Sequence, residues 1–224
     1  MFSFEVDPAK LRVDIGMPVH TGFVPFPTAA ALVDTTRECM RKRLLTRHIA
    51  PCGSSIVIDA RSAVVDEFLR GDGTHLFWID SDMHWHPRDF VRLVSLCTQV
   101  DVVGATYTQK AEPARYMIRE PKNTPNDFGL IEVAGLGLGF TCMKREVVEA
   151  VAAGKPLIRT NSAEIREVFS FGRTAEGHRL GEDMKFFEDI RAAGFTVWLD
   201  PMVNIKHVGL KMYGGDVETA LQGL

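Results

Sequence analysis

Two aspartates stand one residue apart in "WIDSDMHWHP", residues 78–87, directly after an apolar run. Asp80 and Asp82 can turn together onto one hard cation. Mg2+ and Mn2+ take oxygen ligands, often one or two carboxylates plus substrate phosphate. The same pattern also serves as an Asp-rich turn capping the helix that follows. A second acidic pair, Glu182 and Asp183, opens "GEDMKFFEDIRAAG". Acidic residues there either favour the first helical turn, by about 0.3–1 kcal/mol, or supply a general base at a pocket rim. His207 in "VNIKHVG" is a ligand candidate or an ordinary polar residue. His84 and His86 could complete a softer, zinc-like site with Asp82. The Asp-x-Asp pair suits a harder ion, so these histidines read as pocket-lining or solvent-facing.

The elements around these residues follow from periodicity and turn signals. "THLFWID" is a short apolar run, the pattern of a central strand buried on both faces. Asp80 then falls at the carboxyl end of that strand, where open α/β sheets place their ligands. Pro87 suits the first helical position of "PRDFVRLVSLCTQ", and "VDVVGATY" is the next strand. Upstream, "LRVDIGMPVH" reads as a strand ending near Gly16 and Pro18. "TAAALVDTTRECMRKRLL" reads as a helix capped by Thr28, with cations at its carboxyl end. "SSIVIDARSAVVDEFLR" is a second helix, closed by Gly71 and Gly73.

This strand–helix–strand rhythm predicts an α/β domain with a mostly parallel central sheet and helices on both faces. The middle, with Pro113, Pro121 and Pro125, reads as short strands and a loop. "LIEVAGLGLGFTCMKREVVEAV" reads as two strands and a helix, and "KPLIRTNSAEIREVFSFGRTAEGHRL" as mostly loop. Loops of that length are functional or disordered as a rule. "GEDMKFFEDIRAAG" is a helix with Met184, Phe187 and Ile190 on one face, stopped by Gly194. "FTVWLDP" and "VNIKHVG" are late strands. "GLGLG", residues 135–139, lacks the spacing and position of a dinucleotide fingerprint.

The totals exclude several classes. A chain of 224 residues with 46% apolar and 25% charged residues is ordinary for one soluble globular domain, here residues 1–224. The net charge of -3 gives no global basic field, so nucleic acid is possible as a partner but not favoured. The cluster Arg41, Lys42, Arg43 and Arg47 reads as a solvated helix end. Cys39, Cys52, Cys97 and Cys142 form no CxxC pair and read as reduced thiols of a cytoplasmic protein. No signal-peptide pattern opens the chain. No run approaches the roughly 18 apolar residues of a membrane span, so stable membrane insertion is not expected.

In combination, these segments resemble the GT-A fold of nucleotide-sugar glycosyltransferases, especially the glycosyltransferase family 2-like group. The matching stretches are "IDSDM", "GLGFTCMKREV", "GEDMKFFEDIRAAGFTVWLDP" and "HVG", in an order covering residues 11–209. The resemblance implies a GT-A, Rossmann-like architecture and a metal-dependent transfer of sugar from a nucleoside diphosphate-sugar, UDP- or GDP-linked, to a hydroxyl. It implies Mn2+ or Mg2+ held by Asp82 and His207, with Asp80 in the metal shell or on the ribose or sugar. Asp183 would be the base of an inverting enzyme and Glu182 would support acceptor binding.

The loop "MPVHTG", with Pro18 and His20, would face the nucleotide base. Arg61 matches the family's arginine before the nucleotide-binding turn, and Ser62 stands where the family commonly has Asn. Gly137 and Gly139 would let backbone approach the donor sugar or acceptor. Trp85 would stack on a sugar or pack in the core. The acceptor stays open among a protein, a glycan or lipid, and a modified DNA base. The competing readings are a nucleotidyltransferase and a non-catalytic sugar-nucleotide binder. The first usually carries a basic Gly-rich loop after its first strand, and "IGMPVHTG" has no Lys or Arg.

Overall fold

The computed structural model describes residues 7–110, 115–160 and 163–209. Pro113, the first six residues, and residues 161–162 of the expected long loop lie outside them. In chain order the elements begin with β1 (Arg12–Gly16), α1 (Phe26–Lys42), β2 (Leu45–Ile49), α2 (Val57–Arg70), β3 (His75–Ile79), β4 (Met83–His84), α3 (Pro87–Cys97) and β5 (Val102–Gly104). The middle holds β6 (Ile118–Arg119), β7 (Ile131–Glu132), β8 (Gly135–Leu136), β9 (Phe140–Lys144) and α4 (Arg145–Ala152). Last come β10 (Leu157–Arg159), β11 (Glu164–Arg166), β12 (Gly172–Arg173), β13 (Arg179–Leu180), α5 (Glu182–Ala192), β14 (Val197–Leu199) and β15 (Lys206–His207).

Every residue of β3 is buried, as its unbroken apolar run requires. Successive side chains leave a strand on opposite faces. Phe77 and Ile79 therefore enter one core layer, under α1 and α3, while Leu76 and Trp78 enter the other, under α2, α4 and α5. Helices thus cover both faces, as expected.

The sheet itself corrects the expectation. Its order is β2-β1-β3-β9-β5-β14-β7, and it is mixed, not mostly parallel. The pairs β1–β2, β1–β3 and β5–β14 are parallel. The pairs β3–β9, β5–β9 and β7–β14 are antiparallel. The physical reason lies between β5 and β9. A parallel return needs a crossover, usually a helix, back to the starting edge of the sheet. The chain after Gly104 has no helix before Phe140 among the described residues. It returns at the end it left, so β9 runs against both neighbours. The strand–helix rhythm of residues 12–104 does not extend past that point.

Other boundaries move for local reasons. α1 starts at Phe26 with Pro25 as its cap and no side-chain cap bond, so Thr28 is a buried first-turn residue instead of the cap. Pro27 fits that turn because its fixed φ is helical and its missing N–H had no intrahelical partner. β2 was not expected: it is a largely exposed edge strand without apolar alternation. The stretch after Lys155 forms two hairpins, β10–β11 and β12–β13, where a loop was expected. Cys39, Cys97 and Cys142 are buried, Cys52 is exposed, and all four are free. No helix among the described residues is long and apolar enough to cross a membrane.

Candidate functional site

Asp80 follows the last residue of β3, and its N–H donates to the Gly139 carbonyl at 3.0 Å. The β3–β9 register, Ile79 opposite Phe140, brings Gly139 beside it. One Asp80 oxygen accepts from Arg61 Nη2 at 3.1 Å and the other from the Tyr107 hydroxyl at 3.2 Å. The Tyr107 oxygen in turn accepts from Gly139 N–H at 3.2 Å. A Cβ on Gly139 would lie 2.8 Å from both the Asp80 Cγ and the Tyr107 oxygen. A Cβ on Gly137 would lie 2.6 Å from that same oxygen. Both glycines are buried and form the backing against which Asp80 and Tyr107 close. What approaches them among the described residues is Asp80 and Tyr107.

Arg61 comes from α2, with its side chain only 5% exposed. Its Nη1 donates to Glu182 at 3.2 Å and to Asp183, so one guanidinium joins the β3 tip to the start of α5. Asp183 also accepts from Leu138 N–H at 3.2 Å. Burial raises the Asp183 carboxyl above its ordinary value against the pull of Arg61, and the Asp80 and Glu182 charges add to the rise. Burial opposes the Arg61 charge, but Asp183, Asp80 and Glu182 outweigh it and keep the guanidinium protonated. Burial also pushes the Tyr107 phenol well up, as do the Asp80 and Asp183 charges.

Asp82 makes a separate group. The β15–β4 ribbon sets His207 opposite Met83, and Val208 N–H donates to the Asp82 carbonyl at 2.7 Å. One Asp82 oxygen lies 3.3 Å from His207 Nε2 and 2.5 Å from Lys110 Nζ. Burial works against the Asp82 charge, yet the His207 and Lys110 hydrogen bonds hold its carboxyl down at about 2. The His207 imidazole is raised chiefly by its bond to Asp82. Its Nδ1 faces the Thr108 carbonyl at 3.0 Å. A carbonyl only accepts, so Nδ1 carries the proton and Nε2 is directed at Asp82. Histidines that ligate metals commonly donate their other ring N–H to a carbonyl in this way.

Among the described residues no cluster of three or more His, Cys, Asp or Glu is set to hold an ion. Asp80 is engaged by Arg61 and Tyr107, and the expected three-residue set reduces to Asp82 with His207. One carboxylate and one imidazole fit a divalent ion such as Mn2+ that completes its shell with water or phosphate oxygens.

A cavity of about 330 Å³ is lined by Pro18, His20, Arg61, Asp80, Asp82 and His207, together with Ser54 and Ser55. Its size is within the range of small-molecule pockets. His20 Nδ1 is 2.9 Å from the Ser54 carbonyl, which ties the loop after β1 to the approach to α2. Glu182 and Asp183 stand behind Arg61. Tyr107 and Lys110 were missed in the sequence. The one available signal was a tyrosine ending the strand "VDVVGATY".

His84 and His86 line a different and larger cleft, of about 1040 Å³, and do not join Asp82. His86 caps α3 by accepting from Arg88 N–H at 3.2 Å. Trp85 is buried, with Nε1 donating to Thr35 Oγ1 at 2.9 Å, so it is a packing residue.

No protein-family model matches the chain, and no curated protein sequence matches it. Among solved structures, the fold is similar to that of A197 from STIV, at 21% identity and a TM-score of 0.56, over 89% of this chain and 86% of that one. It is also similar to GalNAc-T7, whose crystal structure holds UDP, GalNAc and Mn2+. There the identity is 11% and the TM-score 0.51, over 89% of this chain and 44% of that one, so this chain spans less than half of GalNAc-T7. At such identities the likeness is one of fold: the chain has a weak structural similarity to a GT-A-fold glycosyltransferase.

Proposed function

We propose that this chain is a single-domain, metal-dependent glycosyltransferase that moves a sugar from a nucleoside diphosphate-sugar, UDP- or GDP-linked, to a hydroxyl. The observation that carries the reading is the cavity on which Pro18, His20, Arg61, Asp80, Asp82 and His207 converge. These residues come from loops and elements far apart in sequence, and each was singled out for this chemistry. The likeness to a glycosyltransferase crystallised with UDP and Mn2+ supports the donor class.

In this reading Asp82 and His207 hold the divalent ion, which when bound neutralises the charge of the departing diphosphate. Pro18 and His20 face the nucleotide base, and Asp80, oriented by Arg61 and Tyr107, contacts the ribose or sugar. If the reaction inverts, Asp183, which stands behind Arg61 at the start of α5, is the base for the acceptor hydroxyl; a retaining reaction gives it no such role. The raised affinity of Asp183 for a proton suits the role of base, a contribution of about 10²–10⁴-fold. Glu182 supports the acceptor, whose class is a protein, a glycan or lipid, or a modified base.

The test is thermal unfolding with UDP or GDP, each with Mn2+, Mg2+ or EDTA, on the wild type and Asp82→Ala. One nucleotide at a hundredfold excess over its Kd should raise the wild-type Tm by about 5–10 °C. The rise should need metal and vanish in the variant. No metal-dependent rise with any nucleotide would reduce "DSD" to a turn and remove the basis of the reading.

A further inference from the structure

Lys110 has no part in the scheme above, yet its ammonium lies 2.5 Å from the Asp82 oxygen that also faces His207 Nε2. The backbone that presents it is anchored. Gln109 N–H donates to the Arg115 carbonyl at 2.8 Å, Thr108 pairs with Tyr116, and the Thr108 carbonyl receives His207. The side chain is not anchored in this way: it is 45% exposed and touches charge only at its tip. Its stem passes over Gly209, where a Cβ would come within 3.2 Å of Cδ. The glycine of "HVG" thus leaves the lane by which Lys110 reaches Asp82. A half-exposed lysine–carboxylate pair contributes little to stability, so it breaks at small cost and is a weak explanation for such placement.

We propose that Lys110 is a phosphate-binding residue of this site, held on Asp82 until a divalent cation takes that carboxylate. The inference rests on the transferase reading. A cation between Asp82 and His207 would share an oxygen with the ammonium, and like charges on one oxygen repel. The cation therefore displaces the lysine, and the diphosphate arriving with the donor offers it anionic oxygens next to the place it left. Lysine binds phosphate as a mobile point charge, and its flexible four-carbon stem allows the exchange. Metal and diphosphate then bind in a linked manner: the metal must compete with Lys110, and the diphosphate gains it.

The test is calorimetric titration of Mn2+ alone, and then of UDP at saturating Mn2+, into the wild type, Lys110→Met and Lys110→Arg. Lys110→Met should bind Mn2+ alone about tenfold tighter and UDP about tenfold more weakly. Lys110→Arg should keep UDP affinity near wild type. Lys110→Met with both affinities unchanged, or both weakened, would overturn the proposal while wild-type binding leaves the transferase reading standing. A wild type that binds neither Mn2+ nor UDP, nor GDP titrated in the same way, would overturn both.

Discussion

Arg61 and Asp183 are 122 residues apart in sequence and form a largely buried ion pair, with Asp183 15% exposed, behind the cavity. The same guanidinium also takes Asp80 and Glu182. Three carboxylates therefore surround one cation. Removing the cation leaves buried charge unpaired, whereas removing one carboxylate lowers the excess of negative charge. Arg61→Met should destabilise the protein by about 3–5 kcal/mol. Asp183→Asn should cost clearly less, because its amide oxygen still accepts from Leu138 N–H. Urea unfolding of both variants checks this, and equal costs would count against the shared network.

Gly139 is fixed by what stands over it. Alanine there would drive a methyl into Asp80 and Tyr107, and overpacking of that kind costs about 1–3 kcal/mol. Gly139→Ala should therefore lose stability and also lose the metal-dependent nucleotide shift. Gly177, at φ 85° with open space around its Cβ position, is the control. Gly177→Ala carries only a backbone penalty of about 1–2 kcal/mol and should keep the shift. Retention of the shift by Gly139→Ala would show that Asp80 does not depend on this contact.

Stability should fall in mild acid through His75. This residue is 7% exposed, and burial, reinforced by the Lys144 charge, lowers its imidazole from 6.5 to about 4. Below pH 6.5 the unfolded chain takes up a proton that the native state refuses. The loss of stability therefore begins near pH 6.5, grows as pH falls, and levels off below pH 4. It amounts to at most about 3 kcal/mol from this group. His75→Gln should flatten the curve between pH 6.5 and 4.5 in urea titrations. An unchanged slope would assign the acid sensitivity elsewhere.

The local sequence determined those parts of the protein whose stability is local or whose burial is uniform. The run "HLFWI" has no polar residue after its first position, so it had to be a central strand, and Asp80 had to stand at its tip. The segments over α2, α3 and α5 carry helical apolar spacing, a Pro at a helix start or a Gly at its end, and each formed. Residue type and position made Asp82, Asp183 and His207 legible as candidates, whereas Arg61 was legible only through the family resemblance.

What the tertiary structure decided depends on pairings that no window of sequence contains. The direction of β9 follows from where the chain re-enters the sheet after Gly104, which turned an expected mostly parallel sheet into a mixed one. The edge strand β2 lacks alternation because much of it faces solvent. Tyr107 and Lys110 carry no motif of their own. They became part of the site because β5 ends beside β9 and because His207 binds the Thr108 carbonyl. Gly137 and Gly139 were legible as close-approach residues. Only the packed structure decided that a tyrosine and an aspartate approach them, since both contacts arise across the antiparallel β3–β9–β5 core.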